Sequence, residues 1–364
     1  MELGTRAVED MGLAARPFWR GRRVLVTGHT GFKGSWLSLW LRELGAEVAG
    51  FSLAPTSPSL YQQAQVQKGL RTTIADIRDE DALRACFKSF RPQTVFHLAA
   101  QPLVLRAFRE PAETFAVNLQ GTVNALDAAR RDGEVEQFVA VTTDKVYENA
   151  QPEQPCREDD RLGGRDPYSS SKACAELAIA SFRACYPEMA IASARAGNVL
   201  GGGDWAEDRI LPDCARALSQ DKPLVVRNPD SVRPWQHVLD PLAGYLLLAE
   251  RLAESPKRFG GAWNFGPAAG DEITVEALVS AAFQAWGKPG FPVKRDGGEG
   301  GRESAALRLD SEKARRELGW RPVFDSRRAV VEAVSWYKAV LGGADARAAC
   351  LSQLENYACE TAHG

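Results

Sequence analysis

Short apolar, β-branched runs alternate with amphipathic stretches from Arg23 to about Ala194. The runs read VLVTG, AEVAGFSL, TTIAD, TVFHLAA, QFVAVTT and AIASA. Strands that alternate with helices are typical of a parallel, doubly wound sheet with helices on both faces. After Gly197 the chain becomes richer in Gly and Pro, with GGGDW, WNFGP and GGEGGR. We therefore predict an α/β fold with a doubly wound parallel sheet and a smaller mixed α/β domain in the C-terminal part.

Charge and cysteine usage exclude several classes of function. The 45 basic and 47 acidic residues are spread along the chain, which gives no basic stripe for nucleic acid. No apolar run reaches the roughly 18 residues of a membrane helix. The seven cysteines are odd in number and irregularly spaced, and the four histidines are scattered, so we predict neither a disulfide framework nor a metal site. Residues 1–16 lack the apolar core of a secretory signal, and we expect a flexible extension on a cytoplasmic protein.

A glycine-rich turn, TGHTGFKG, follows the first predicted strand and opens a helix. Gly28, Gly31 and Gly34 have G-x-x-G-x-x-G spacing. Glycines at these positions allow a sharp turn and a close approach of the backbone to a pyrophosphate, whose charge is stabilised at the helix N-terminus. Although such turns also occur without a ligand, the position between strand and helix favours a dinucleotide site.

Two polar residues that follow neighbouring strands concern the choice of cofactor. The second strand ends with Ser52 instead of the acid that grips the ribose hydroxyls in ordinary NAD sites, which leaves the choice between NAD and NADP open. Asp76 follows the third strand. Its carboxylate is expected either to meet the adenine amino group or to cap the helix that follows.

DPYSSSKACAE contains Tyr168 and Lys172 four residues apart, after Pro167 at a predicted helix start. Both side chains leave one helical face, and an ammonium beside a phenol lowers the pKa of the phenol. In VTTDKVY, a buried-looking strand runs directly into Asp144 and Lys145. Both pairs are candidates for catalysis. The alternative for Tyr168 and Lys172 is a solvated helix face, and the alternative for Asp144 and Lys145 is a salt-bridged loop.

TGHTGFKG, HLAAQP at 97–102, NLQGT at 118–122 and YSSSK together resemble the extended short-chain dehydrogenase/reductases that act on nucleotide sugars, the NAD-dependent epimerase/dehydratase family. Within that family, TTDKVY, RAGNVLGGGDWAEDRILPD at 195–213, VRNPDSVRPWQHVLDPLAGYLLLA at 226–249 and WNFGP at 263–267 are similar to the CDP-glucose 4,6-dehydratases. The resemblance covers about residues 17–340.

This resemblance implies removal of water from a hexose by an internal redox cycle. Tyr168, activated by Lys172, would take the proton of the 4-hydroxyl, and Thr143 would hydrogen-bond that oxygen. Asp144 would protonate the departing 6-hydroxyl. Lys145 stands where the similar dTDP-glucose enzymes carry Glu, as the base at carbon 5. The product would enter deoxysugar biosynthesis for surface polysaccharide, such as lipopolysaccharide O-antigen, or for glycosylated metabolites.

The resemblance also implies the binding residues. We expect NAD, because the redox cycle is closed and no Arg follows Ser52 to hold a 2′-phosphate. The implied cofactor contacts are Gly28, Gly31, Phe32, Lys33, Gly34, Ser52, Asp76, Ile77, Ala99, Ala100, Gln101, Asn118, Tyr168 and Lys172. The implied contacts of CDP-glucose are Gln101, Asn198, Arg209, Arg233 and Glu303.

The domain boundaries expected from the resemblance are a Rossmann-like NAD-binding domain at 17–196, with a returning segment at about 236–266, a nucleotide-sugar-binding domain at 197–235 and 267–345, and a C-terminal helix and tail at 346–364. The family also implies a homodimer through helices near 111–130 and 168–185. Two apolar stripes of these helices are the candidate contacts: Phe115, Leu119, Thr122 and Leu126, and Ala173, Leu177 and Ala180.

Two other functions stay open. A dehydratase or 4-epimerase of another nucleotide sugar, linked to dTDP, GDP or UDP, would share most motifs, although an epimerase has no use for an acid and a base after the strand. A dinucleotide-sensing protein without catalysis would share the fold. Such a protein should have lost members of the Thr143, Tyr168 and Lys172 set.

Overall fold

The structure is a computed structural model that describes residues 17–148, 154–295 and 308–363. Its strands are β1 Arg23–Thr27, β2 Glu47–Ser52, β3 Arg71–Ile74, β4 Thr94–His97, β5 Gln137–Val141, β6 Ala190–Ala196, β7 Val199–Leu200, β8 Leu224–Val226, β9 Val232–Arg233, β10 Gln236–His237, β11 Gly261–Phe265, β12 Ile273–Thr274 and β13 Val293–Arg295. Seven of these strands form one parallel sheet in the order β11-β6-β5-β4-β1-β2-β3. This sheet confirms the predicted α/β, doubly wound architecture.

The helices cover both faces of the sheet and build most of the C-terminal part. They are α1 Phe32–Glu43, α2 Leu60–Gln63, α3 Glu80–Phe90, α4 Val104–Arg109, α5 Pro111–Phe115, α6 Gly121–Asp132, α7 Pro167–Cys185, α8 Ile210–Gln220, α9 Leu239–Glu254, α10 Pro256–Phe259, α11 Val275–Trp286, α12 Ser326–Leu341 and α13 Ala346–His363. Short 3-10 turns lie at Pro17–Trp19 and Asp144–Val146. Three two-stranded pairings, β7 with β10, β8 with β13 and β9 with β12, join the loops beyond β6.

Alternation along β1 explains why both faces of the sheet are covered. Successive side chains of a strand point to opposite faces. Val24 and Val26 pack with Trp36 in one buried cluster, whereas Leu25 packs with Phe87 in the other. Because every residue from the second position of β1 is buried, the strand reads as a continuous apolar run instead of an alternating one.

The strand order reverses between β1 and β4, which lie side by side in the sheet although β2 and β3 separate them in sequence. Loops that leave the carboxyl ends of two such strands run in opposite directions and open a crevice, where ligands bind in doubly wound sheets. The glycine-rich turn follows β1, so the fold brings this turn to the crevice.

Two local predictions differ from the structure. Asp79, not Asp76, caps α3, and its side chain accepts a hydrogen bond from the Ala82 N–H at 3.0 Å. Between α5 and α6, a π-helical turn at Ala116–Gln120 changes the helical spacing, so the stripe predicted from Phe115 to Leu126 is divided. Its C-terminal member Leu126 is fully buried in the core.

Candidate active site

A cleft of about 760 Å³ opens along the carboxyl ends of the sheet strands. It extends from the glycine-rich turn, past the ends of β4 and β5 and the start of α7, to α8 and β8. More lysines and arginines than aspartates and glutamates line it, although the whole chain has a net charge of −2. The local excess of positive charge suits an anionic ligand. Among the described residues of its wall are the predicted Gly28, Gly31, Phe32, Lys33, Gly34, Ser52, Asp76, Ile77, Ala99, Ala100, Thr143, Asp144, Lys145, Tyr168, Lys172, Asn198, Arg209 and Arg233.

The glycine-rich turn requires glycine at two positions for packing reasons. Gly28 has a positive φ of 76°, and a Cβ there would lie 2.8 Å from the Ala99 nitrogen. A Cβ on Gly34 would lie 2.2 Å from the Gly28 carbonyl oxygen. Gly31 is the N-cap of α1 and has no side chain to cap the first N–H groups of the helix, which leaves them available to a phosphate.

The residues after β2 and β3 form the end of the cleft beyond this turn. The Ser52 hydroxyl hydrogen-bonds the Thr30 hydroxyl at 2.7 Å. The Asp76 carboxylate accepts hydrogen bonds from the Arg78 guanidinium at 2.6 and 3.0 Å, and these bonds lower its pKa. Asp76 lines the cleft and does not cap α3, so the capping alternative is wrong and the adenine contact stays a prediction.

Tyr168 and Lys172 are both buried in the first turns of α7. Burial raises the pKa of Tyr168 to about 12, and its hydrogen bond with Thr143 acts in the opposite direction. The net pKa of this phenol in the ligand-free protein is therefore raised by burial, not lowered as expected, and the Lys172 ammonium donates to the Val141 carbonyl at 3.1 Å. Burial lowers the pKa of Lys172 itself to about 8, against the opposing charge of Glu176.

Asp144 begins the 3-10 turn after β5 and is only 1% exposed. The Thr143 hydroxyl donates to Asp144 Oδ1 at 2.9 Å, whereas Oδ2 has no hydrogen-bond partner in the described part of the chain. Oδ2 lies 3.2 Å from where a Cβ of Gly197 would stand. Burial raises the pKa of Asp144, although the charges of Lys145, Lys33 and Arg233 oppose the change. A carboxyl group in this setting is suited to donate a proton.

Two further lysines line the cleft near this carboxyl group. Lys145 is half-buried, and its backbone N–H hydrogen-bonds the Thr143 hydroxyl at 3.4 Å. Lys33, which we predicted only as a cofactor contact, interacts electrostatically with Arg209, Asp144 and Lys172. Desolvation, followed by the charge of Arg209, lowers the pKa of Lys33 to about 8. The structure thus brings Lys33 to the catalytic candidates.

The predicted substrate contacts Arg209, Arg233 and Asn198 lie together in the cleft wall. Arg209 Nη1 forms an ion pair with Asp204 Oδ2 at 2.7 Å, which orients the guanidinium group. Arg233 is buried, and its charge acts on Asp144. Our sequence reasoning missed Asp204, although its place in GGGDW, five residues before Arg209, was a usable signal.

Two of the predicted contacts are not part of the cleft wall. Gln101 and Asn118 lie behind it, where the Asn118 amide group donates to the Gln101 carbonyl and to the Ser171 hydroxyl at 3.1 and 2.9 Å. Asn118 Oδ1 also accepts from the Gln101 N–H at 2.8 Å. These bonds tie the loop after β4 to α7. Glu303 lies outside the described residues.

The model of the NAD dependent epimerase/dehydratase family matches residues 24–266, a range that holds the sheet and the catalytic candidates. The chain belongs to this family. The CDP-glucose 4,6-dehydratase of Salmonella typhimurium is 43% identical over 353 residues, with 94% of this chain and 98% of the relative covered. The dTDP-glucose 4,6-dehydratase of Streptomyces griseus is 30% identical over 245 residues, covering 67% of this chain and 71% of the relative.

Solved structures of the family have the same fold. The UDP-glucose 4-epimerase of Thermus thermophilus, a complex with NAD, superposes with a TM-score of 0.76 at 28% identity, covering 87% of this chain and 99% of that chain. The dTDP-glucose 4,6-dehydratase of Bacillus anthracis has a TM-score of 0.75 at 22% identity, covering 87% and 97%. In the ranges that the structure describes, no helix combines the length and apolar character needed to span a bilayer.

Proposed function

We propose that the protein converts CDP-glucose to CDP-4-keto-6-deoxyglucose and water, with NAD as its cofactor. The observation that carries the proposal is the buried carboxyl group of Asp144, which has an oxygen without a partner among the described residues and is followed directly by Lys145. The relative from Salmonella typhimurium supports CDP-glucose as the substrate because 94% of this chain aligns with 98% of that enzyme.

The residues of the cleft fit NAD. The uncapped start of α1 and the glycine-rich turn would hold the pyrophosphate, and Ser52 would meet a ribose hydroxyl. Asp76 and Ile77 would contact the adenine end. When bound, the oxidised nicotinamide supplies a hydride acceptor, a positive charge that favours the phenolate, and later a hydride donor, so that the cycle needs no external reductant.

Oxidation at carbon 4 uses Tyr168, Thr143 and Lys172. The Tyr168 phenolate takes the proton of the 4-hydroxyl, and the Thr143 hydroxyl hydrogen-bonds the same oxygen. The Lys172 ammonium stabilises the phenolate by its charge. The high pKa of Tyr168 in the ligand-free protein means that the phenol keeps its proton until the other charges of the complex are present.

Elimination of water then uses Asp144 and Lys145. The ketone at carbon 4 acidifies the hydrogen on carbon 5, which Lys145 removes as the base. Asp144, whose pKa burial raises, donates its proton to the departing 6-hydroxyl. The bond between carbon 6 and oxygen breaks as the double bond between carbons 5 and 6 forms. Saturation of the double bond would then return the proton from Lys145 to carbon 5, while carbon 6 would accept the hydride taken from carbon 4. The proton that Tyr168 took from the 4-hydroxyl would replace, through solvent, the one that Asp144 gave to the departing water, so that the protein ends the cycle in its starting state.

Arg233, Arg209 and Asn198 would hold the diphosphate and the nucleotide, because guanidinium groups match phosphate oxygens.

We also propose that the protein is a cytoplasmic homodimer. The odd, irregular set of cysteines supports the cytoplasmic location, and the exposed Leu177 on α7 supports the dimer. The product would be used in deoxysugar biosynthesis, including that of O-antigen. A 4-epimerase of another nucleotide sugar is the second candidate, since the epimerase of Thermus thermophilus shares the fold.

Product analysis after incubation with CDP-, dTDP-, UDP- and GDP-glucose tests the proposal. We expect the 4-keto-6-deoxy sugar from CDP-glucose, at a kcat/KM at least about ten-fold above that of the other substrates, which corresponds to about 1.4 kcal/mol. A 4-epimer as the product, or a preference for another nucleotide, would contradict it.

A further inference from the structure

A buried ion pair lies behind the wall of the cleft, and the mechanism above does not use it. Glu176 of α7 and Arg195 of β6 are 3% and 4% exposed in their side chains, and Arg195 Nη2 lies 2.8 Å from Glu176 Oε2. The Ser193 hydroxyl donates to the same carboxylate oxygen at 2.8 Å. Because desolvation offsets much of the attraction in a buried pair, stability alone does not account for its presence.

Glu176 connects the ion pair to Lys172 and Thr143, which we propose to act at carbon 4 of the sugar. It follows Lys172 by one helical turn, so both side chains lie on the same face of α7. Its charge raises the pKa of Lys172, which burial lowers. The other oxygen of the carboxylate accepts a hydrogen bond from the hydroxyl of Thr142, which directly precedes Thr143.

Arg195 connects the same pair to the acid and the base. Its Nη1 donates to the Tyr147 hydroxyl at 2.9 Å, and that hydroxyl donates to Asn264 Oδ1 at 2.6 Å. The guanidinium carbon also lies 5.0 Å from the centre of the Tyr147 ring. Tyr147 follows the 3-10 turn of Asp144 and Lys145 directly. Both ends of the segment 142–147 are thereby fixed to one ion pair.

We propose that the Glu176–Arg195 pair is a positioning device for the reaction centre, in which Glu176 is the electrostatic partner of Lys172 and Arg195 orients the Asp144–Lys145 turn through Tyr147. The roles of the positioned side chains rest on the proposed function, whereas the pair and its contacts do not. Neither Glu176 nor Arg195 lines the cleft, so both act through other residues.

The charged and titratable groups that act with Lys172 come from four elements. Tyr168 and Glu176 lie on its own helix, Arg195 of β6 pairs with Glu176, and His97 at the end of β4 and Lys33 in the first turn of α1 interact with Lys172 electrostatically. Burial lowers the pKa of His97 to about 3, so this ring stays neutral in the range where activity is measured. The pKa of Lys33 is close to that of Lys172, so a Lys33 variant is needed to separate the effects of the two lysines on the pH profile.

Glu176→Gln tests the electrostatic part of the proposal through the pH profile of kcat/KM. Loss of the negative charge should lower the pKa of Lys172, and the basic limb should move to lower pH by about one unit. The same shift in a Lys33→Met background assigns the limb to Lys172. Tyr357→Phe, which removes a buried hydrogen bond to Asp240 far from the cleft, is the matched control and should leave the limb in place. An unmoved limb in Glu176→Gln would overturn this part.

Tyr147→Phe tests the positioning part and keeps the ring under Arg195. We expect exchange of the carbon 5 hydrogen to fall about ten-fold relative to cofactor reduction at carbon 4, because displacement of an acid or a base by a fraction of an ångström slows proton transfer. Equal losses in both steps, or none, would contradict it. All variants are measured with the nucleotide-glucose that the wild type converts, so a wild type inactive on CDP-glucose refutes the proposed function and leaves this inference testable.

Discussion

The acid that we propose for catalysis, Asp144, carries a cost in stability. Its raised pKa means that the folded protein favours the protonated form. The stability that this group contributes is therefore fully present below the pKa of the unfolded chain, about 3.9, and is lost as the pH rises through the folded pKa. Since Oδ2 has no partner among the described residues, ionisation of this buried carboxyl group is only partly compensated by hydrogen bonds.

Asp144→Asn should stabilise the protein at pH 8 by on the order of 1 kcal/mol and lower the rate of dehydration by about 10²- to 10⁴-fold. Urea denaturation of both proteins at pH 5 and pH 8 provides the measurement, and the difference between them should be smaller at pH 5. An equal or lower stability of the variant at pH 8 would show that the carboxylate is compensated in the wild type.

Lys145 is predicted to remove the carbon 5 proton, because the proposed mechanism assigns Tyr168 and Lys172 to carbon 4 and Asp144 to the 6-hydroxyl. Lys145→Ala should bind CDP-glucose and reduce the cofactor, but exchange of the carbon 5 hydrogen with deuterated water should fall by orders of magnitude, about 10²-fold or more. Lys145→Glu should keep part of the activity. If the Ala variant exchanges at the wild-type rate, the base is another group, and Lys33 becomes the first candidate.

A buried titratable contact helps to dock the C-terminal helix α13. The Tyr357 hydroxyl donates to Asp240 Oδ1 at 2.9 Å, and the Val323 N–H donates to the same oxygen at 2.7 Å. Burial raises the pKa of Asp240 to about 7. Because a raised carboxyl pKa favours the folded state at low pH, this contribution declines between about pH 4 and pH 7.

Asp240→Asn should remove this pH dependence. Hydrogen exchange corrected for the intrinsic rate should reveal that the protection of α13 falls from pH 5 to pH 8 in the wild type and stays level in the variant. Tyr357→Phe is the control that loses the hydrogen bond at both pH values and should lower protection at each. A parallel decline in wild type and Asp240→Asn would assign the pH effect to other groups.

Elements whose signals are local were predictable from the sequence. The glycine-rich turn, the strand before it and α7 with its Pro at the first position are each specified by neighbouring residues. Contacts between distant residues were not predictable. Arg195 and Tyr147 are 48 positions apart, and no local pattern signals their hydrogen bond. The net pKa of Tyr168 in the ligand-free protein was predicted with the wrong sign, because helical periodicity does not reveal how deeply the phenol is buried, and burial raises its pKa.

The proposed dimer contact on α7 can be tested at Leu177. Leu177 on α7 is 61% exposed, while Ala173 one turn earlier is buried. If α7 lies in the dimer contact, Leu177→Asp should shift sedimentation at micromolar concentration from dimer toward monomer, because it buries a charge in an apolar contact. Leu341→Asp, at a site 44% exposed on α12, is the matched control and should remain dimeric. A monomeric wild type would refute the dimer.

In the proposed cycle, the hydrogen on carbon 4 of the sugar is transferred to carbon 6 of the same sugar. CDP-glucose labelled with deuterium at carbon 4, converted in ordinary water and analysed by mass spectrometry and NMR, tests this directly. We predict that the deuterium is found in the methyl group at carbon 6 of the 4-keto-6-deoxy product. Deuterium retained at carbon 4 of an inverted sugar would identify a 4-epimerase, and a sugar recovered unchanged would refute the proposed reaction.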